Sequence, residues 1–408
     1  MERESLEVDV LYVGAGAAAL ASAISLKRKL KAAGKDATIL VLEKAEEIGN
    51  HQLSGAVMDM RALRELEPDF DKLGFPSETE VKDDEMRFLT KNGSYPARGV
   101  LIPAPFQNHG NRIVSLYKVV RWLKDLAEKE GIDVYPGFPA DSLLEENGRV
   151  VGVRTRGGGD RAQSLRAPLV VAADGRASVI AHRLGCRAPH RLRRMALATY
   201  ISGVKDCRDH GEIFIDPPDY SILNPIAPDR INLSLVVPLA DAAPWSGRLE
   251  TFFTARVKHL RHLAPRVAGA RLEAPVQAMG PLAYRVFAPR VGGVLLVGDA
   301  AGFYDPFTGE GIFSALRGAE LAAETVARAL DAGDVSARAL AGYLHARRAA
   351  FADKAHVTRA LQMIIRRRWL ANLTGRLLSS RPAVLDLLLG VVGDYVPPRA
   401  LLRPLAAE

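Results

Sequence analysis

The sequence predicts an α/β protein with three parts: a parallel-sheet nucleotide-binding domain, a second β-sheet domain, and a helical C-terminal segment. Three observations carry the prediction. An apolar strand, Val8-Asp-Val-Leu-Tyr-Val13, runs directly into Gly14-Ala-Gly16-Ala-Ala-Ala19 and a helix. Far downstream, Val294-Leu-Leu-Val-Gly298-Asp299 is another buried-type strand ending in glycine and acid. Between them, Ile231-Asn-Leu-Ser-Leu-Val-Val alternates as a half-buried sheet strand does. A chain of 408 residues, 48% hydrophobic and 25% charged, has room for two or three domains or one large discontinuous one. That composition excludes collagen-like, low-complexity and wholly disordered classes.

The first fifty residues hold the first chemistry. After the opening strand, the pattern predicts a helix over about Ala17 to Ala33 with Gly34 as its C-cap, then a strand over Thr38–Leu42. Gly14 permits a tight turn, Gly16 the close approach of a pyrophosphate, and Ala19 the packing of helix on strand. Together they make a dinucleotide-binding, Rossmann-like fingerprint. The helix N-terminus offers unpaired N–H groups and a positive dipole end to phosphates. Glu43, followed by Lys44, stands at the end of the second strand, 29 residues after Gly14, where an acid accepts hydrogen bonds from ribose hydroxyls.

Further along, Val150–Arg156, a Gly157-Gly-Gly-Asp160 turn and Leu169-Val-Val-Ala-Ala-Asp174-Gly175 predict a β-meander ending in an acid–glycine pair. The glycine run suits a hairpin loop, since no helix follows it. After Gly298-Asp299 come Thr308-Gly309-Glu310-Gly311 and an amphipathic helix from about Gly311 and Ile312 to Leu330.

In these three signatures the sequence resembles the group A flavoprotein monooxygenase superfamily, over about 300 residues. The resemblance implies a glutathione reductase/p-hydroxybenzoate hydroxylase type of fold and FAD as cofactor. It implies that Asp299 hydrogen-bonds the ribityl chain and that Asp174 sits near the pyrophosphate; each acid also suits a strand-end turn cap. Gly309, Gly311 and Ile312 would bring a helix N-terminus to the flavin N1–C2=O edge, favouring the anionic reduced form. It divides the chain into an FAD-binding domain (1–80, 110–187 and 278–332), a substrate-binding sheet (81–109 and 188–277) and a helical cap (333–408).

Ile48-Gly-Asn-His51-Gln-Leu-Ser54-Gly55-Ala56 is more specific. With Asn108-His109-Gly110-Asn111, the helix over 119–130 and Val134-Tyr-Pro-Gly137, it resembles electron transfer flavoprotein–ubiquinone oxidoreductase across roughly residues 8 to 155. Ser54, Gly55 and Ala56 would then pass close to the isoalloxazine, while His51 and His109 suit loop packing. Ser115 replaces an arginine usual just before the helix. Two cysteines, Cys186 and Cys207, cannot supply the iron–sulfur cluster of that oxidoreductase. The segment from Gly298 to Gly311 and the C-terminal helices resemble the geranylgeranyl reductase branch instead. That branch lines its substrate cavity with a Tyr-x-Trp-x-Phe-Pro strand; here Tyr220-Ser-Ile222-Leu-Asn224-Pro225 keeps the Tyr and Pro. Tyr220, Ile222 and Asn224 are the expected substrate wall, with Asn224 either a polar substrate contact or a turn residue before proline.

Charge is concentrated at one end. From His345 to Glu408 eleven Lys/Arg face four acids, so this stretch carries seven of the net +8. No aromatic-interleaved basic patch points to nucleic acid. The tail is either a basic platform for anionic lipid or a solvated helical cap; Pro382, Pro397 and Pro398 favour the cap. The acidic start lacks a signal peptide and no uncharged run is long enough to span a bilayer, so the expected location is cytoplasmic. No metal-ligand or nucleophile–base constellation stands out, leaving the flavin as the reactive group. The expected function is electron or hydride transfer between FAD and a largely apolar substrate, a prenyl double bond or a quinone. The alternatives are an NAD(P)H- and O2-dependent monooxygenase, or an electron-transfer subunit with a ferredoxin partner. The isolated Trp122, Trp245 and Trp369 disfavour a halogenase.

Overall fold

Val10–Val13 (β1) is apolar throughout because both its faces are covered, and all four residues are buried. The computed structural model describes residues 5–372 apart from 51, 53–54, 83–84, 91–92, 99–109, 157–162, 209 and 304–310. Helix α1 (Ala17–Ala32) follows, packing small residues with Leu20, Ile24 and Leu26 into the core. The next strand, β2 (Ile39–Leu42), is again fully buried. Strands β3 (Gly55–Met58) and β4 (Arg112–Ser115) pair antiparallel, setting Gly55 opposite Ser115 and Ala56 opposite Val114. β4 runs straight into α2 (Leu116–Lys129), whose Val119, Val120, Leu123 and Leu126 face inward. β5 (Asp133–Tyr135) returns beside β2.

The expected meander is built from Ala140–Glu146, Arg149–Thr155 and Gln163–Arg166. β6 (Leu169–Ala172) does not continue it, which corrects the sequence expectation. β6 is buried on both faces, so it enters the parallel sheet beside β1, a place the apolar run alone could not distinguish from a meander strand.

The second sheet contains β7 (Arg194–Ser202), β8 (Glu212–Asp216), β9 (Asp219–Ala227) and β10 (Arg230–Pro238), ordered β7–β10–β9–β8. Strand Glu85–Thr90 extends it parallel to β8. Alternation divides the residues between two faces. Leu197, Leu223, Leu233, Leu235 and Phe214 pack against Phe252, Phe253 and Val257 of helix α3 (Leu249–His259). Each such buried side chain is worth about 1.5–3 kcal/mol, so the sheet is held from this side. Asn224 lies mid-strand opposite Asn232, which removes the turn reading of Asn224-Pro225.

The chain returns to the first domain through β11 (Val294–Leu296), α4 (Gly311–Ala332) and α5 (Ala337–Ile365). The parallel sheet is thereby ordered β11–β6–β1–β2–β5. α4 packs along both α1 and α5. Past α5, Arg366, Arg367, Arg368 and Trp369 are exposed, while Arg368 donates to Pro217 O at 2.8 and 3.0 Å. The apolar stretch over 377–396 lies outside the described residues. Among the described residues no helix is long and apolar enough to cross a membrane.

Candidate functional site

Four strands of the parallel sheet end together, and their carboxyl edge is stitched by turn hydrogen bonds. Gly14 N donates to Leu42 O (2.7 Å), Ala173 N to Val13 O (2.8 Å) and Val297 N to Ala172 O (2.9 Å). This brings Gly14, Glu43, Asp174 and Gly298 to one edge. Gly14 has φ +96°, and a Cβ there would lie 2.6 Å from Ala173 O. The fold itself therefore requires glycine at this turn. Gly16 differs: a Cβ there would meet only Gln52 Nε2, at 3.3 Å. No side chain caps α1, so its first amides are left for an anion.

Glu43 Oε2 accepts from Ala15 N (2.8 Å) and Oε1 from Ala45 N (3.0 Å). The carboxylate is thus fixed in place and keeps lone pairs for hydroxyl donors. Lys44 beside it is exposed. Asp174 Oδ2 accepts from Val179 N (2.8 Å) and Ile180 N (3.3 Å), capping the short helix Val179–Arg183. Its Oδ1 is buried without a partner. Burial pushes the Asp174 carboxyl up, against Ser178 and the backbone N–H groups.

The Gly298–Ala301 turn lies against the start of α1, where a Cβ on Gly298 would be 2.7 Å from Ala18 Cβ. Tyr284 Oη donates to Asp299 O at 2.6 Å. The Asp299 carboxyl is pushed up by burial and drawn back by Arg176 and Arg347. Arg347 of α5 donates to Gly302 O (2.8 Å), Ala301 O (3.2 Å) and Gly298 O (3.3 Å), tying the C-terminal helix to this turn. Burial lowers the Arg176 guanidinium, and Arg187 stacks on the Tyr284 ring at 4.0 Å. Sequence reasoning missed Arg176, Tyr284 and Arg347. Arg347 had a signal, as one of the tail cations, but nothing in the sequence directed it at Gly298–Gly302. Of the other expected cofactor residues, Gly55 and Ala56 lie on β3, Gly311 opens α4 and Ile312 is buried; Ser54 and Gly309, like His51 and His109, fall outside the described residues.

Tyr220, Ile222 and Asn224 share the face of the second sheet opposite α3. Cross-strand register extends them into three rows: Ile215–Tyr220–Val236–Ala196, Ile213–Ile222–Ser234–Ala198, and Asn224–Asn232–Tyr200. The first row is apolar apart from the Tyr220 hydroxyl and the last is polar. Ile213, Ile222 and Ser234 stay half-buried between buried rows, so the middle of the face is its open part. β3 packs against β9 and β10. Its Val57 side chain approaches Asn224 at Gly211, where a Cβ would be 3.3 Å from Val57 Cγ2 and 3.0 Å from Asn224 Oδ1. Two polar groups at the polar end are buried without good partners, Asn232 Nδ2 and Tyr200 Oη. Buried groups of this kind call for a partner, and a bound ligand is one that can supply it.

Residues 7–358 match the family model described as "FAD binding domain". The chain belongs to the FAD binding domain family. Among curated relatives, it is 44% identical over 187 residues to the mitochondrial electron transfer flavoprotein-ubiquinone oxidoreductase of Dictyostelium discoideum, covering 42% of this chain and 30% of that one. The Arabidopsis thaliana protein of the same name is 32% identical over 371 residues, covering 81% of this chain and 56% of its own length. The chain thus spans between 30% and 56% of these two relatives. A geranylgeranyl bacteriochlorophyll reductase-like protein from Thermoplasma acidophilum superposes with TM-score 0.73 at 22% identity, covering 98% of this chain and 96% of that one. The flavin-dependent brominase Bmp2 superposes with TM-score 0.74 at 20% identity, covering 95% and 93%. Both likenesses are of fold. The uncapped α1 amides, the fixed Glu43 carboxylate and the unpartnered Asp174 Oδ1 suit FAD, the cofactor of this family.

Proposed function

We propose that this FAD-dependent oxidoreductase exchanges electrons with a quinone-type acceptor: an oxygen-bearing head on a largely apolar body. The observation that carries this reading is the pair of buried polar groups, Asn232 Nδ2 and Tyr200 Oη, at one end of a face that is otherwise mostly apolar. An amide donor and a phenol match carbonyl or hydroxyl oxygens, which a bare prenyl double bond lacks. The relatives' name, an oxidoreductase of ubiquinone, points the same way, and their electron transfer flavoprotein suggests a protein electron donor.

In this reading the α1 amides with Gly14 and Gly16 hold the pyrophosphate, Glu43 the ribose and Asp299 the ribityl chain, with Asp174 nearby. Gly55 and Ala56 run past the isoalloxazine, and Gly309, Gly311 and Ile312 carry the helix end facing it. Tyr220, Ile222 and Asn224 form the substrate wall. FAD supplies the hydride or one-electron chemistry; the protein positions it and the acceptor. The exposed Arg366–Trp369 turn is where the protein would meet an anionic lipid surface holding such a substrate.

The test is anaerobic. FAD-loaded protein is reduced with NADH, NADPH, reduced ferredoxin or dithionite, then mixed with short-chain quinones, prenyl substrates and aromatic acceptors. Quinones should reoxidise the flavin fastest, and Asn232→Leu should lower kcat/KM for them about tenfold, the loss of one hydrogen bond to a buried group. FAD affinity should stay unchanged. Quinones that react no faster than prenyl acceptors, or hydroxylated product formed with NAD(P)H and O2, would overturn the reading.

A further inference from the structure

Outside the basic tail the chain is nearly neutral on balance, yet its charge is unevenly spread. Between Gly175 and Arg194 there are six arginines, and between Ala274 and Gly298 two more, with no Asp, Glu or Lys in either segment. The fold brings the two segments together. Arg187–Pro189 and Tyr284–Val286 pair antiparallel as a two-stranded ribbon. Phe287 N donates to Cys186 O at 2.8 Å, and Cys186 N donates to Ala181 O at 2.9 Å, which draws the short helix Val179–Arg183 against the ribbon. Arg348 of α5 reaches the same place, donating to Val286 O at 3.1 Å.

Tyr284 and Val286 are buried, so by the period of two Arg285 and Phe287 stand on the outer side of the ribbon. Phe287 is 51% exposed. Arg183, Arg285 and Arg290, from the elements that meet at it, are exposed too, and none of the three forms an ion pair among the described residues. The inner side is tied to the cofactor edge. The Arg187 guanidinium lies 4.0 Å over the Tyr284 ring, and Tyr284 Oη donates to Asp299 O at 2.6 Å. An exposed aromatic ring among cations that lack carboxylates is thus mounted on the strand that braces the Gly298–Ala301 turn.

We infer that this surface docks an acidic protein carrying a one-electron centre, the electron donor of the function proposed above, on which the docking rests. Charge complementarity selects the occupant. A second copy would set arginines against arginines, and a lipid surface is held by a broader apolar face than Phe287 and Val179 provide. A carboxylate-rich protein pairs with the arginines and covers the ring, the anatomy of a small, charge-steered contact. Two carrier molecules dock in turn, and each leaves oxidised by one electron. The electron pair passes to FAD with protons from solvent, and from there to the acceptor.

The probe is an acidic [2Fe–2S] ferredoxin, used with the FAD-loaded protein. Its binding is read by anisotropy of a dye-labelled, oxidised sample, and anaerobic flavin reduction by its reduced form is read by stopped flow. In Arg285→Glu/Arg290→Glu the second-order reduction rate at low salt should fall about ten- to hundredfold, with binding weakened in parallel. At high salt the gap should close to within about threefold. Arg285→Lys/Arg290→Lys should keep most of the rate, and Phe287→Ser should weaken binding about tenfold at every salt concentration. Reduction by photoreduced deazaflavin, a small neutral donor, and FAD content should stay unchanged in all variants. Ferredoxin that neither binds nor reduces the flavin would overturn the docking, as would a rate indifferent to charge reversal or an equal loss with deazaflavin. Charge reversal that abolishes binding to phosphatidylserine vesicles but spares ferredoxin would make the patch a lipid contact and overturn it too. A patch-dependent reduction in a protein inert to every quinone supports the docking and overturns the substrate reading instead.

Discussion

The carboxyl edge of the parallel sheet and the polar face of the second sheet are built by opposite means. The edge comes from local segments: β1, its glycine turn and α1 are contiguous, and each neighbouring strand brings its own acid or glycine within two residues of its end. The face comes from register. Tyr200, Asn232 and Asn224 stand in one row because three strands pair antiparallel, not because of anything in the sequence around each. A local device fails all at once when its key residue changes, whereas a face assembled from register should lose function in steps.

The sharpest test of that contrast lies inside the edge itself, in two glycines two residues apart. Gly14→Val should destabilise the fold by several kcal/mol, because its Cβ would collide with Ala173 O in a positive-φ conformation. Gly16→Val meets only the end of the Gln52 side chain, so the protein should fold normally yet lose FAD affinity by more than about 100-fold. Urea unfolding without cofactor and FAD titration separate the two. A Gly16→Val protein that binds FAD normally would remove the pyrophosphate approach at that residue, and the edge would no longer be the cradle.

A smaller loss is expected on the far side of the same edge. Asp299→Ala should weaken FAD binding about ten- to 100-fold, the range for a hydrogen bond involving a charged group. Arg347→Ala, which frees the carbonyls of Gly298, Ala301 and Gly302, should weaken it less, by loosening the turn that presents Asp299. Fluorescence titration of FAD ranks the two. An Arg347 effect as large as that of Asp299 would mean that the C-terminal helix contributes to the cradle directly.

What was legible in the sequence follows the same division. Strand, glycine turn, helix and acid at 10–43 could be read because each step is set by residues next to it. Leu169–Ala172 was assigned to a meander because an apolar run carries no mark of which sheet will take it; only the pairing with Val10–Val13 and Val294–Leu296 decides. Tyr220, Ile222 and Asn224 could be placed on one face by their period of two. Tyr200 and Asn232 could not be joined to them, since that needs the register of β7 on β10. Arg347 was visible only as a charge. The side chains that complete both sites are the ones whose partners are distant in sequence.

A last test concerns how the face is held from behind. His262 stacks on Phe214 with ring centroids 4.2 Å apart, and its Nε2 lies 3.1 Å from Ser221 Oγ on the α3 side of the sheet. Burial, reinforced by Arg266, lowers its imidazole from 6.5 to about 4, so the folded protein keeps it neutral. The unfolded chain takes up a proton near pH 6.5 that the folded one refuses. Stability from this group is therefore complete above pH 6.5 and lost progressively down to pH 4, with no further loss below. The shift corresponds to about 2–3 kcal/mol once partial exposure is allowed for. His262→Phe keeps the stacking and removes the titration, so the stability gap between wild type and variant should narrow or reverse in favour of phenylalanine as pH falls from 6.5 to 4. The same pH dependence in both proteins would show that the imidazole titrates freely. The sheet would then be less tightly closed on its α3 side than on the side facing the cofactor domain.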